Sequence, residues 1–283
     1  MSPMRIALLT LVAMIAFAGN SLLCRVALRE TGIDAATFTS VRIVSGALVL
    51  WLIVRARDRG RAGTGSGSWT SAAALFGYAA CFSFAYVSLS AGTGALLLFG
   101  AVQATMIGYG LWMGERLRPW QAVGLVLALS GLVGLVLPGV TAPPLVGSGL
   151  MLLAGVAWGV YSLRGRRVGE PIRTTSENFM RAVPMAVALG LAMLPWVSVD
   201  RMGVVYAVVS GALASGVGYA VWYTALRGLR ATQAATVQLS APVIAAAGGI
   251  VLLGERFEMR LVIASIAILG GIAIVLRGKS NAD

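Results

Sequence analysis

The sequence predicts an all-α integral membrane protein of ten transmembrane helices, arranged as two five-helix repeats of inverted topology. Three observations carry that prediction. Across 283 residues, 58% are hydrophobic and 11% charged, with a mean hydropathy of +0.87; a soluble domain carries about 25% charged residues. The apolar runs are each about 20 residues long, the length a helix needs to cross roughly 30 Å of hydrocarbon. The tripeptide Gly114-Glu115-Arg116 returns as Gly254-Glu255-Arg256, 140 residues later. The same shift aligns Ala85 with Ala225, Leu89 with Leu229, Ala95 with Ala235, Gly108 with Gly248 and Gly131 with Gly271. In all, 12 of the 60 positions from 78 to 137 match their shifted partners. Composition alone would give roughly half that, so the chain reads as an internal duplication.

The spans are expected at 4–24, 36–54, 70–90, 93–113, 119–137, 145–163, 175–196, 203–226, 232–253 and 259–276. In span 1, Arg5, an apolar stretch and Ala16-Phe17-Ala18 look like a cleaved signal peptide. Gly19 nonetheless aligns with Gly159 of span 6, which no signal sequence would do, so span 1 is expected to be retained. Asn20 lies near the end of this span. Span 2 carries Arg42 close to its start, about 9 Å deep at 1.5 Å per residue, shallow enough for the guanidinium to snorkel. Span 3 presents Tyr78, Phe82 and Tyr86 at every fourth position, hence on one face. Span 4 carries Gln103 at mid-depth, where an amide needs a partner or water.

Spans 5 and 10 hold Gly124, Ala128, Ser130 and Gly134, and Ala267 and Gly271. Such small-xxx-small spacing permits close packing, within the scaffold or across a homodimer. The uncharged linker 138–144 separates a first repeat, 1–137, from a second, 145–283. Span 6 carries Trp158 and Tyr161 on one face, and span 7 carries Arg181, the repeat partner of Arg42. Span 8 carries Tyr219, Trp222 and Tyr223, with Trp222 aligned on Phe82; span 9 contains Gln238. Tyr86, Tyr109 and Trp112 lie near span ends and are expected at the membrane interface.

Arginine placement sets the orientation. With the N-terminus inside, 15 basic residues fall in inner segments and five in outer ones, while Arg42 and Arg181 lie within spans. That asymmetry puts both termini in the cytoplasm and accounts for the net charge of +12 without a nucleic-acid partner. An odd number of spans per half inverts the second copy. Inverted repeats are the architecture of secondary transporters, with the site near the midplane between them.

Catalysis is disfavoured. The chain has no histidine, its two cysteines lack metal-ligand spacing, and its ten acidic residues all lie in loops or at span ends. No metal site, cofactor or phosphate-binding loop is expected, and no intramembrane carboxylate offers an ion-coupling site.

Several motifs recur in order in the two halves: Phe17-Ala18-Gly19 and Trp158-Gly159, Arg42 and Arg181, Ala85-Tyr86 and Ala225-Leu226, and Gly-Glu after the fourth span. In these the chain resembles the EamA-type drug/metabolite transporter superfamily over essentially its whole length, and within it the YddG-type amino-acid exporters. It departs from the pattern in lacking a tryptophan beside Gly19 and a proline at Val102, which aligns with Pro242. The resemblance implies peripheral fifth and tenth helices and a pathway among the other eight.

The expected function is export of small amphipathic metabolites, amino acids first, across a bacterial-type inner membrane. Carriage of a drug or organic cation or of a nucleotide sugar is the alternative, followed by a membrane channel or a structural membrane protein. The expected partners are the small-molecule substrate and membrane lipid. Phe82, Gln103, Trp158 and Trp222 are expected to line the pathway, with Tyr78, Tyr161, Asn20, Gln238 and Tyr223 beside them. Phe82 and Trp222 are expected to face each other across the pseudo-symmetric centre. Arg42 and Arg181 are candidates for attracting a substrate carboxylate, set against a simple anchoring role.

Overall fold

A computed structural model describes residues 2–58, 67–114, 116–137, 142–165, 170–229, 237–256 and 258–277. These residues form ten membrane helices: α1 (Pro3–Glu30), α2 (Ala35–Asp58), α3 (Trp69–Tyr86), α4 (Ala91–Trp112), α5 (Pro119–Val136), α6 (Leu145–Gly165), α7 (Pro171–Ala192), α8 (Arg201–Leu226), α9 (Ser240–Leu253) and α10 (Met259–Arg277). Seven of them are long and apolar enough to cross a membrane, and α9 is a shorter apolar helix. The first residues expected in span 9, and part of the 138–144 linker, lie outside the described residues.

Helix ends follow local chemistry. Ser68 and Ser90 accept hydrogen bonds from the N–H of Ser71 and Thr93, and Pro119 and Pro171 occupy first-turn positions where no N–H is needed. Asp34 caps α2, accepting from Ala36 and Thr37 N–H at 2.9 Å each. Its other oxygen accepts from Ser198 N–H at 3.0 Å, tying α2 to the α7–α8 connection. The duplicated Gly-Glu-Arg has a backbone cause at its first residue. Gly114 and Gly254 have φ of +93° and +62°, a left-handed conformation that ends α4 and α9 and that glycine alone adopts freely. Span 3 ends earlier than expected, at Tyr86, because the chain turns at once into α4.

Helix pairing obeys the duplication. Contacts of α3 with α6 are mirrored by α8 with α1, and those of α4 with α6 by α9 with α1; α2 pairs with α7, and α4 with α9. The α5–α10 pair packs mainly on itself, at the edge. Its small residues are used inside the chain: Gly124 and Gly271 meet backbone to backbone, and Gly131 lies against Ala267. Without a hydrophobic drive in lipid, such close approach supplies the van der Waals contact that holds helices together.

One helix departs from α geometry. Residues Ser210–Val217 of α8 run as a π-helical stretch. Gly211 there packs against the Arg42 carbonyl and the Ser45 hydroxyl of α2, leaving no room for a Cβ.

Candidate functional site

The every-fourth spacing on α3 turns Tyr78, Phe82 and Tyr86 into the protein interior, where all three are buried. Trp158 and Tyr161 of α6 meet them. Ring centroids run Tyr161–Trp158 at 5.4 Å, Trp158–Tyr78 at 4.8 Å, Tyr78–Phe82 at 5.4 Å and Phe82–Tyr86 at 4.8 Å. The result is a continuous aromatic column along α3 and α6. Tyr219 of α8 joins it at 5.2 Å from Trp158 and stands 5.9 Å from Phe17 of α1.

At mid-column lies a cavity of about 30 Å³, lined by Phe17, Asn20, Tyr78, Phe82, Trp158, Tyr219 and Gln238 among others. A larger opening of about 550 Å³ lies where α3 and α7 begin and α6 ends. Tyr161 and Tyr223 line this vestibule with Thr175, Asn178 and Arg164. Tyr161 links the column to the vestibule: its ring packs tilted on Trp158 and its hydroxyl donates to Thr175 at 3.4 Å.

The opposite face is closed. Arg25, near the end of α1, pairs with Glu255 at 3.0 Å. Both Glu255 oxygens accept the Ala91 N–H, at 2.8 and 3.0 Å, so this carboxylate from the second repeat caps α4 of the first. Tyr86 donates its hydroxyl to the Ala91 carbonyl at 3.3 Å.

Arg42 is the buried charge behind Tyr78 and Phe82 and does not itself line the cavity. It is 2% exposed, and its guanidinium lies 5.2 Å from the Tyr78 ring and 5.0 Å from the Phe82 ring. Nη2 donates to the Tyr78 oxygen at 3.0 Å, Nη1 has no partner, and among the described residues no carboxylate pairs with it. Asn20 Nδ2 also donates to the Tyr78 oxygen, at 3.3 Å, while its Oδ1 accepts from Ser210 at 2.6 Å. The Tyr78 oxygen thus accepts twice and keeps its own O–H free to donate.

Several expectations are corrected. Arg42 does not snorkel; α2 turns it inward onto Tyr78 and Phe82. Its repeat partner Arg181 is half-exposed beside Glu177, 3.4 Å away and one turn earlier on α7, away from the central cavity. Phe82 and Trp222 do not face each other, since Trp222 packs against Phe17 at 5.8 Å, behind the lining. Tyr86 is not interfacial, because the α3–α4 turn folds over it. Tyr109 lines the vestibule, whereas Trp112, 81% exposed, sits outside as expected. Gln103 is 2% exposed with Nε2 unpartnered, one turn from the cavity-lining Phe99, and does not itself line the cavity. Phe17, Tyr219, Thr175, Asn178 and Arg164 are among the lining residues that sequence reasoning did not single out as site residues.

A family description matches both halves of this architecture, over residues 4–137 and 145–277, as EamA-like transporter family. The chain belongs to the EamA-like transporter family. This EamA-like transporter is 56% identical over 272 residues to an uncharacterized protein of Pseudomonas aeruginosa, covering 96% of this chain and 94% of that one. It is 32% identical over 176 residues to the Escherichia coli threonine/homoserine exporter RhtA, covering 58% of each chain. A solved crystal structure superposes with a TM-score of 0.65 at 20% identity, over 97% of this chain and 98% of the other, and shows the same fold. The EamA-like transporter is a membrane transporter without enzymatic activity, as expected. These matches do not distinguish the YddG-type subdivision.

Proposed function

We propose that this EamA-like transporter exports small zwitterionic metabolites, amino acids foremost, through the aromatic column between its repeats. Arg42 is the observation that carries the reading. A buried guanidinium with an unpartnered nitrogen and no carboxylate nearby is costly unless something compensates it. A substrate carboxylate does so, helped by the free O–H of Tyr78, while the substrate ammonium meets the faces of Trp158 and Tyr219. The same charge repels organic cations. Relatives named threonine/homoserine exporters support an amino-acid substrate.

In this reading the vestibule faces the cytoplasm of a bacterial-type inner membrane, both chain ends lie on that side, and the Arg25–Glu255 pair seals the outside. The arginine asymmetry supports this orientation. Glu177 is the one described acid inside a helix beyond its terminal turn, and it is already engaged by Arg181 and by the Gly67 N–H at 2.9 Å. Transport is therefore read as proceeding down the substrate gradient or by exchange.

The test is counterflow in proteoliposomes with labelled threonine, homoserine and phenylalanine, competed by the corresponding amino-acid amides and by an organic cation. The acids compete and the amides, lacking a carboxylate, do not. Equal competition by amides or cations would overturn the carboxylate assignment.

A further inference from the structure

A second cavity, of about 560 Å³, opens sideways between α2, the start of α3 and α7, apart from the central column. Its rim carries Arg55 in the last turns of α2, Arg173 in the first turn of α7, and Arg181, with Trp51, Trp69 and Glu177 between them. Arg55 lies 5.4 Å over the Trp51 ring. Three arginines face one glutamate on this rim, so it is positive overall even with Glu177 paired to Arg181. Arg173 also leans on Glu170, at 3.5 Å. Arg55, Arg173 and Trp69 sit at helix ends, where headgroups lie, while Glu177 and Arg181 lie two to three turns deeper on α7; Trp69, 59% exposed, is the kind of ring that marks the headgroup level.

Below the rim the surface changes character. On α2, Val44 and Leu48 lie at helical spacing under Trp51 and Arg55 and are exposed. On α7, Met180, Val187 and Leu191 form a matching exposed stripe with Pro184 between them. The two helices pack side by side, so a basic basin stands over a two-sided apolar track. A free solute has no use for the track, and a neutral lipid has none for the arginines.

We propose that this basin binds one anionic phospholipid of the surrounding leaflet, with its phosphate against Arg55, Arg173 and Arg181 and its acyl chains along α2 and α7. Basic pockets between transmembrane helices attract such headgroups, each arginine adding to the attraction. The site is independent of the transport substrate.

Purified protein in neutral detergent is titrated with phosphatidylglycerol, phosphatidylethanolamine and glycerol phosphate, reading melting temperature and the lipid retained in native mass spectra. Phosphatidylglycerol is retained and stabilises; the other two are not and do not. Arg55→Gln weakens phosphatidylglycerol binding about fivefold, and Arg55→Gln with Arg173→Gln about thirtyfold. Arg55 is an exposed side chain, so the single variant keeps the fold and decides the question if the double does not fold. Equal retention of phosphatidylethanolamine, equal stabilisation by glycerol phosphate, or unchanged binding in the Arg55→Gln variant would each overturn the site.

Discussion

Arg25 and Glu255 stand 230 residues apart in sequence and form an ion pair at 3.0 Å on the face opposite the vestibule. Glu255 holds the first N–H of α4 at the same time, so a single carboxylate joins α1, α4 and the α9–α10 turn. On the proposed export route, substrate leaving on that face has to part these three elements. The pair therefore weights the equilibrium toward the closed face, by an amount set by partly buried, charge-assisted bonds.

Glu255→Gln keeps the shape and removes the charge. Removing about 2 kcal/mol of closure raises the open population about thirtyfold. A cysteine at Ser21, 1% exposed in the lining of the central cavity, on a background lacking Cys24 and Cys81, should label faster from that face in the variant. Unchanged labelling would show that closure rests on helix packing alone.

Arg42 yields opposite effects on stability and transport. Exchanging it for Gln removes an unpaired buried charge, so melting in detergent should be at or above the wild-type temperature. Counterflow of amino acids should fall by about tenfold or more, as a charge-assisted carboxylate contact is lost. A variant that melts lower while still transporting would make Arg42 a structural anchor.

The ten helices and the inverted pairing were legible because apolar length and the 140-residue repeat are properties of the chain itself. So was the shared face of Tyr78 and Phe82, fixed by helical spacing. The divergence of Arg42 from Arg181 was not, because repeat symmetry treats them as equals. The local signal lay four residues upstream, where Glu177 precedes Arg181 and holds it outward, whereas Phe38 precedes Arg42. Tyr86 was misread because position along a helix says nothing about what folds over its end. The Phe82–Trp222 expectation failed on side-chain direction: aligned positions in two repeats share a place in the fold without sharing a contact.

Asp34 gives a pH dependence. Partial burial works against its charge, but hydrogen bonds from Thr37, Ser198 and Ala36 outweigh that and hold the carboxyl below the usual carboxylate range. A depressed folded pKa contributes stability that is present above the unfolded value and is lost as pH falls through the folded one. Melting of the wild type in detergent should therefore fall as pH drops below about 4. Asp34→Asn should melt lower at neutral pH and lose less over that acid window. Parallel acid curves for the two proteins would remove Asp34 from the account.

Gly211 tests how tightly α8 must approach α2. Its Cα faces the Arg42 carbonyl and the Ser45 hydroxyl with no space for a side chain, in the π-helical stretch whose Ser210 holds Asn20. A methyl group there cannot be absorbed by a flexible side-chain tip, because one of the opposing groups is backbone. Gly211→Ala should push the helices apart and cost about 1–3 kcal/mol, as overpacking of a close contact does. Displacing α2 also moves Arg42 relative to Tyr78, so apparent affinity in counterflow should weaken along with melting. Gly134 on α5 is the control, with open space where its Cβ would go. Gly134→Ala should leave both readouts unchanged, apart from the small gain that alanine brings to a helix. Should the two variants melt alike, the α2–α8 contact has slack, and the π-helical stretch is not what fixes the Arg42 guanidinium against Tyr78.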